Sequence, residues 1–283
     1  MAACGEPKGD NPKTDPDSAA DQNKKAILVV SFGTSYNESR EATIGAIERS
    51  IADSYSDYEM RRAFTSQIII DKLETRDGLE IDNVQEAMDR LIADGVDTLV
   101  VQPTHVMSGF EYDEMKEAIA PYEDQFVNLH YGLPLLSSEE DYAQVVSIIT
   151  DETKEYDVAE TAIVFMGHGT EHSANATYAK LQQSLTDAGH NNYFIGTVEA
   201  TPSLEDVMAM VEESGASKVV LLPLMIVAGD HANNDMAGDE EDSWKTAFKE
   251  AGYEVSYVLK GLGQYQGIQQ MFVTHAGVAI NHG

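Results

Sequence analysis

The sequence predicts an α/β protein of two similar lobes, each a parallel sheet wrapped in helices. Three observations carry that expectation. Short β-branched runs alternate with longer amphipathic ones from Ala26 onward, the apolar runs have the length of buried strands, and the second half of the chain repeats the first. The repeat is visible by eye. Ile27-Leu28-Val29-Val30-Ser31-Phe32-Gly33-Thr34 aligns with Ile163-Val164-Phe165-Met166-Gly167-His168-Gly169-Thr170 at an offset of 136, and Val100 to Gly109 aligns with Val220 to Gly229 at an offset of 120.

In the first lobe the expected order is a strand over Ala26 to Phe32, a turn at Gly33-Thr34-Ser35 and a helix from about Glu38 to Ser54. A strand near Tyr58 to Thr65 follows. Val84 to Ala93 reads as a helix because its apolar residues fall at 84, 87, 88, 91 and 92, and Thr98 to Gln102 reads as a strand ended by Pro103. The cycle restarts at Thr161 to Met166, turns at Gly167-His168-Gly169-Thr170 and continues into a helix over Ala174 to Ala188. Strands then fall at Tyr193 to Val198, Lys218 to Leu222 and Tyr253 to Leu259, with helices at Leu204 to Ser214 and Ser243 to Ala251. The resulting division is a tether over 1–25, a first lobe over 26–150 and a second over 151–283, with the boundary near residues 135 to 160.

At 283 residues and 42% apolar content the chain is long enough for two cores. Its longest apolar run, Val219 to Ala228, is far too short to span a membrane. Forty-nine acids against 18 bases give a net charge of −31, which repels phosphate backbones and argues against nucleic acid as a partner. The single cysteine, Cys4, excludes an intrachain disulfide and a thiolate metal cluster. Met1-Ala2-Ala3-Cys4-Gly5 resembles the end of a lipoprotein signal, and Gly5 to Lys25 holds almost nothing to bury. The expectation is therefore a periplasmic or cell-surface protein tethered through a lipid on Cys4, the alternative being a ragged cytoplasmic N-terminus.

Ligands of open parallel sheets bind beyond the carboxyl ends of strands, so the chemistry belongs in post-strand loops. Where the two halves differ, a single function needs only one of them. His168 stands where the first half has Phe32, His231 where it has Glu111, and Glu199 in a place loosely matching Ser66. Two imidazoles and a carboxylate suit a divalent ion and leave positions open for a substrate. Each residue taken singly has a plainer reading: a strand-end histidine is often a hydrogen-bonded loop residue, and Glu199 precedes the helix entry Thr201-Pro202-Ser203. Gly167 and Gly169 suit a tight turn that brings the ring of His168 close to a flat ligand.

Phe32-Gly33-Thr34-Ser35-Tyr36 with Arg40, Gly167-His168-Gly169-Thr170, Thr197-Val198-Glu199-Ala200 and Ala228-Gly229-Asp230-His231-Ala232-Asn233-Asn234-Asp235-Met236 together resemble the anaerobic sirohydrochlorin cobaltochelatases, single-chain class II chelatases. The resemblance runs from Ala26 to the last helix. It implies two Rossmann-like lobes with a tetrapyrrole in the cleft between them, a metal held at His168, Glu199 and His231, and no ATP. Co²⁺ is the implied ion, while the ligand set would also take Fe²⁺, Ni²⁺ or Zn²⁺. His168 and Glu199 are then the expected catalytic residues. Gly33, Thr34, Ser35, Tyr36, Arg40, Gly167 and Gly169 are the expected substrate contacts, with Arg40 equally readable as a helix-surface residue. His105, Met107 and Tyr112 occupy the matching late loop of the first lobe, and His105 is a candidate haem ligand should the fold handle haem. The competing expectation is an exported carrier of haem, another tetrapyrrole or metal. A homo-oligomer stays open.

Overall fold

The computed structural model describes residues 24–281. The expectations placed on Cys4 and on the tether up to residue 23 lie outside the described residues.

Two four-stranded parallel sheets form the framework. In the first, Lys25–Ser31 (β1) lies between Glu59–Phe64 (β2) and Thr98–Pro103 (β3), and Asn128–Tyr131 (β4) pairs with β3 on its other side. The second uses Thr161–Gly167 (β5), Tyr193–Thr197 (β6), Lys218–Pro223 (β7) and Glu254–Tyr257 (β8) in the corresponding order β6-β5-β7-β8. The registers also correspond: Val30 faces Pro103 as Met166 faces Pro223. Pro103 therefore closes β3 from inside the strand rather than standing after it.

Among the described residues ten α-helices cover the sheets: Asn37–Ala42 (α1), Ile44–Ser54 (α2), Gln67–Asp77 (α3), Val84–Ala93 (α4), Phe110–Ile119 (α5), Glu139–Glu152 (α6), Ala176–Asp187 (α7), Leu204–Ser214 (α8), Trp244–Glu250 (α9) and Gln266–Asn281 (α10). Because side chains alternate along a strand and helices lie on both faces, the central strands read as unbroken apolar runs. Ala26, Leu28 and Val30 pack with α4 and α5, Ala162, Val164 and Met166 with α8 and α9, and Ile27, Val29, Ile163 and Phe165 share a third core with residues of α2, α6, α7 and α10. That third core is continuous across both sheets and holds the lobes together.

Helices α4 and α8 match expectation to the residue, since each starts at a reciprocal cap, Asn83 with Glu86 and Ser203 with Asp206. The single helix expected over 38–54 is instead two. Thr43, at φ −115° and ψ −81°, breaks it, and its hydroxyl turns back to donate to the Ser39 carbonyl at 2.5 Å. The helix expected from Ala174 begins as a 3₁₀ turn at Ser173–Asn175. Chain order and packing part company at the ends of the lobes. Helix α6, which follows the first sheet, packs against α7 of the second lobe, and α10, the last element, returns to pack on α2 and β3.

Candidate metal centre and interlobe cleft

In each sheet the strand order reverses beside the first strand, between β1 and β3 and between β5 and β7. Loops leaving neighbouring strands there diverge and open a crevice. The two crevices face one another across one cavity, walled by Ser31 to Tyr36 and Thr104 to Glu111 from the first lobe and by His168 to Thr170 and Leu224 to His231 from the second.

The backbone of the two lobes is built alike around this cavity. Thr65 and Ser66 donate to the carbonyls of Ser31 and Phe32 at 2.9 and 3.3 Å, just as Val198 and Glu199 donate to Gly167 and His168 at 3.0 and 2.9 Å. Ser66 and Glu199 thus hold equivalent places. The same holds for His105 and Met225, whose carbonyls accept from Leu135 and Leu262 at 2.9 and 2.8 Å.

On this shared scaffold the second lobe assembles a donor set. His168, Glu199 and His231 present ligand atoms that all lie within 4.8 Å of one another, with His168 Nε2 3.5 Å from Glu199 Oε1 and the two imidazole centroids 4.6 Å apart. Donors of one tetrahedral ion at about 2.1 Å stand about 3.4 Å apart, so the set closes on a metal through side-chain movements of about 1.4 Å or less. The histidines line the cavity, whereas Glu199, with 56% of its side chain exposed, stands at its edge. Ligand from the edge, rings from the wall: the geometry leaves the cavity side of an ion open.

Sequence reading missed a fourth member. His231 Nδ1 lies 2.8 Å from Asp235 Oδ2. A carboxylate only accepts, so Nδ1 carries the hydrogen and Nε2 presents its lone pair, the orientation a metal-binding imidazole needs. Asp235 follows His231 by four residues on one turn that continues as a short π-helical segment, Ala232–Met236, and that i, i+4 spacing was the available signal.

The remaining candidates divide. Gly33, Thr34, Ser35, Tyr36, Gly169, His105 and Met107 line the cavity; Arg40, Gly167 and Tyr112 do not. Arg40 is buried, its Nη1 donating to Asn37 Oδ1 at 2.7 Å, so it anchors the start of α1 rather than lining the cavity. Gly167 makes room for the ring of Tyr178, whose hydroxyl accepts from the Gly169 N–H at 3.2 Å. Gly169 itself sits at φ +88°, and a β-carbon there would come within 2.8 Å of the Ala200 nitrogen, so this turn requires glycine. Tyr36 reaches across the mouth from the first lobe, 3.4 Å from Asp230 Oδ1, and burial together with that carboxylate pushes its phenol up. Neither Lys nor Arg is among the described residues of the wall, while Glu111 and Asp230 are, so the cavity favours cations.

His105 is unlike the rest. Both ring nitrogens are shut off from solvent and have no hydrogen-bond partner, and burial pulls the ring down to about 4, against a smaller opposing pull from Glu111.

Comparison with known proteins shows the family. The family model for cobalt chelatase (CbiK) matches residues 25–281. A sirohydrochlorin cobaltochelatase of Salmonella typhimurium is 42% identical over 91% of this chain and 97% of its own length, and one from Nitratidesulfovibrio vulgaris is 28% identical over 91% of each. The structure of SirB from Bacillus subtilis with Fe³⁺ superposes with a TM-score of 0.63 over 92% of this chain and 96% of that one, at 16% identity, a likeness of fold. By its own residues and over nearly all its length, the chain belongs to the cobalt chelatase (CbiK) family.

Proposed function

We propose that this protein is a sirohydrochlorin cobaltochelatase, inserting Co²⁺ into the macrocycle in the cleft between its lobes without ATP. The observation that carries the reading is the convergence of His168, Glu199 and His231 at the one place where the crevices of two sheets meet.

Metallation exchanges two pyrrole N–H protons for one M²⁺. In this reading His231, oriented by Asp235, and Glu199 hold the ion, and His168 shares it and then takes a pyrrole proton once the ion has moved on. A neutral imidazole suits both tasks at neutral pH. Gly33, Thr34, Ser35, Tyr36 and Gly169 are the surfaces that meet the macrocycle. Its acidic side groups find no cation in the wall, so we place the carboxylate-bearing edge outward, where water solvates it.

Imidazole and carboxylate donors also accept Fe²⁺, Ni²⁺ and Zn²⁺, so the choice of Co²⁺ rests on the family. The test is anaerobic metallation of sirohydrochlorin by each of the four ions, followed by absorbance. Fastest turnover with Co²⁺, lost in His168→Ala and in His231→Ala, is the expected result; equal rates for the variants would sink it. The carrier reading has no support in the comparisons. Attachment to a membrane through a lipid on Cys4 is a separate proposal, and an unmodified Met1 on the protein isolated from its own cell would refute it.

A further inference from the structure

We propose that His105 is the base that accepts the first pyrrole proton, acting from the first lobe on the side of the macrocycle away from the metal set. The proposal rests on the metallation reading above and adds a residue to it.

The need for such a group follows from stoichiometry. Two N–H protons must leave, yet while the ion is still held, the lone pairs of His168 and His231 and the carboxylate of Glu199 are committed to it, and Asp235 is engaged with His231 Nδ1. None of these is a free base at the start. Tyr36 and Asp230 are occupied with each other. What the cavity wall still offers is His105 and Glu111, both from the loop after β3.

His105 has the properties the step requires. A buried imidazole with neither nitrogen satisfied is unfavourable, and a hydrogen bond from a pyrrole N–H would satisfy one of the two. Burial leaves the ring neutral at neutral pH, with a lone pair to accept a proton, but weakens it as a base; Glu111 on the same loop acts against that weakening and offsets the charge once the ring is protonated. The loop does not need a histidine for its own shape: the equivalent position of the second lobe makes the same backbone hydrogen bond and carries Met225. The polar ring is surplus to the fold.

The step balances. The N–H bond of one pyrrole breaks, its electron pair remains on that nitrogen and becomes a donor to M²⁺, and the proton forms an N–H bond on His105. The second proton goes to His168 after the ion has left it, so that one M²⁺ enters and two H⁺ leave.

The test uses the full chain and its His105→Ala, His105→Gln and His105→Met variants, the last carrying the residue the second lobe has there and serving as the control for folding. Stopped-flow metallation of sirohydrochlorin by Co²⁺ is expected to show kcat lowered by about 10²-fold or more in all three. KM for sirohydrochlorin and Co²⁺ affinity measured by calorimetry without macrocycle should stay within about twofold. Added imidazole should restore part of the rate in His105→Ala alone. A kcat within about twofold of the parent overturns the proposal. So does a loss confined to KM or to Co²⁺ affinity, which assigns the ring to binding, and so does a Soret band in the purified parent that vanishes in His105→Ala, which assigns it to haem. Inactivity of the parent itself, with all four proteins folded, instead defeats the metallation reading.

Discussion

The two lobes share a backbone and differ in chemistry. The loop after β2 donates to the loop after β1 as the loop after β6 does to the loop after β5, and the carbonyls of residues 105 and 225 accept equivalent bonds. On matching positions the second lobe places His168, Glu199 and His231, the first Phe32, Ser66 and Glu111. Main-chain hydrogen bonding thus specifies where loops stand at a sheet's carboxyl edge, and side chains there are free to diverge because they support no core. One lobe carries the candidate metal set; the other carries an aromatic ring, an acid and a buried imidazole.

The largest expected effect breaks the comparison outright. His168→Ala should lower the rate of Co²⁺ insertion by about 10²- to 10⁴-fold, read by absorbance, while Phe32→Ala at the matching position should leave Co²⁺ affinity unchanged by calorimetry. A shared loss of affinity would mean that the ion is held by both lobes. Next, Asp235→Asn should weaken Co²⁺ binding by about 10- to 100-fold, because the His231 ring loses the partner that fixes its tautomer; intact affinity would leave Asp235 without that role.

A smaller effect tests the shared backbone. Gly33 and Gly169 sit at φ +99° and +88°, each with a neighbour within 3.0 Å of where a β-carbon would stand, Phe64 and Ala200. Replacing either with Ala should therefore cost the same, about 1–2 kcal/mol or somewhat more in urea unfolding. A marked inequality would show that the turns are not equivalent.

The smallest effect concerns the join between lobes. His275 of α10 meets Asp141 of α6 at 2.9 Å and the Leu133 carbonyl at 3.1 Å. Burial pushes the Asp141 carboxyl up, but hydrogen bonds from His275 and Ser138 outweigh it and hold it below the usual carboxylate range. A depressed folded-state value contributes stability above about pH 4 that is lost as the pH falls further. Urea midpoints should accordingly fall in acid for the parent and fall less for Asp141→Asn; parallel curves would refute the linkage.

These contrasts mark what the sequence could carry. The β1 and β5 runs, the capped α4 and α8, and the repeat itself were legible because each is a local pattern, and His168 and His231 stood out by departing from it. Short β4 at the edge, with one apolar aliphatic in four residues, gave no alternation to read. Helix α3 was hidden by Ile68-Ile69-Ile70, a run without helical period in which Ile68 is 79% exposed. Arg40 lies off the cavity wall, since its position after β1 says nothing about which way a side chain of α1 turns. The His275 contact joins residues 134 positions apart, beyond any local signal.

Helix α10 carries one more consequence, for synthesis. Domains emerging from a ribosome commonly fold in order, the N-terminal one first. Here the first sheet reaches its final covering only when Gln266–Asn281 arrives, the last described element of the chain. Until then the face of β3 and β4 that α10 packs against stays open to solvent, so the lobe made first is the lobe finished last. The nascent chain must keep that apolar face from other partners for the whole time its second half is being made.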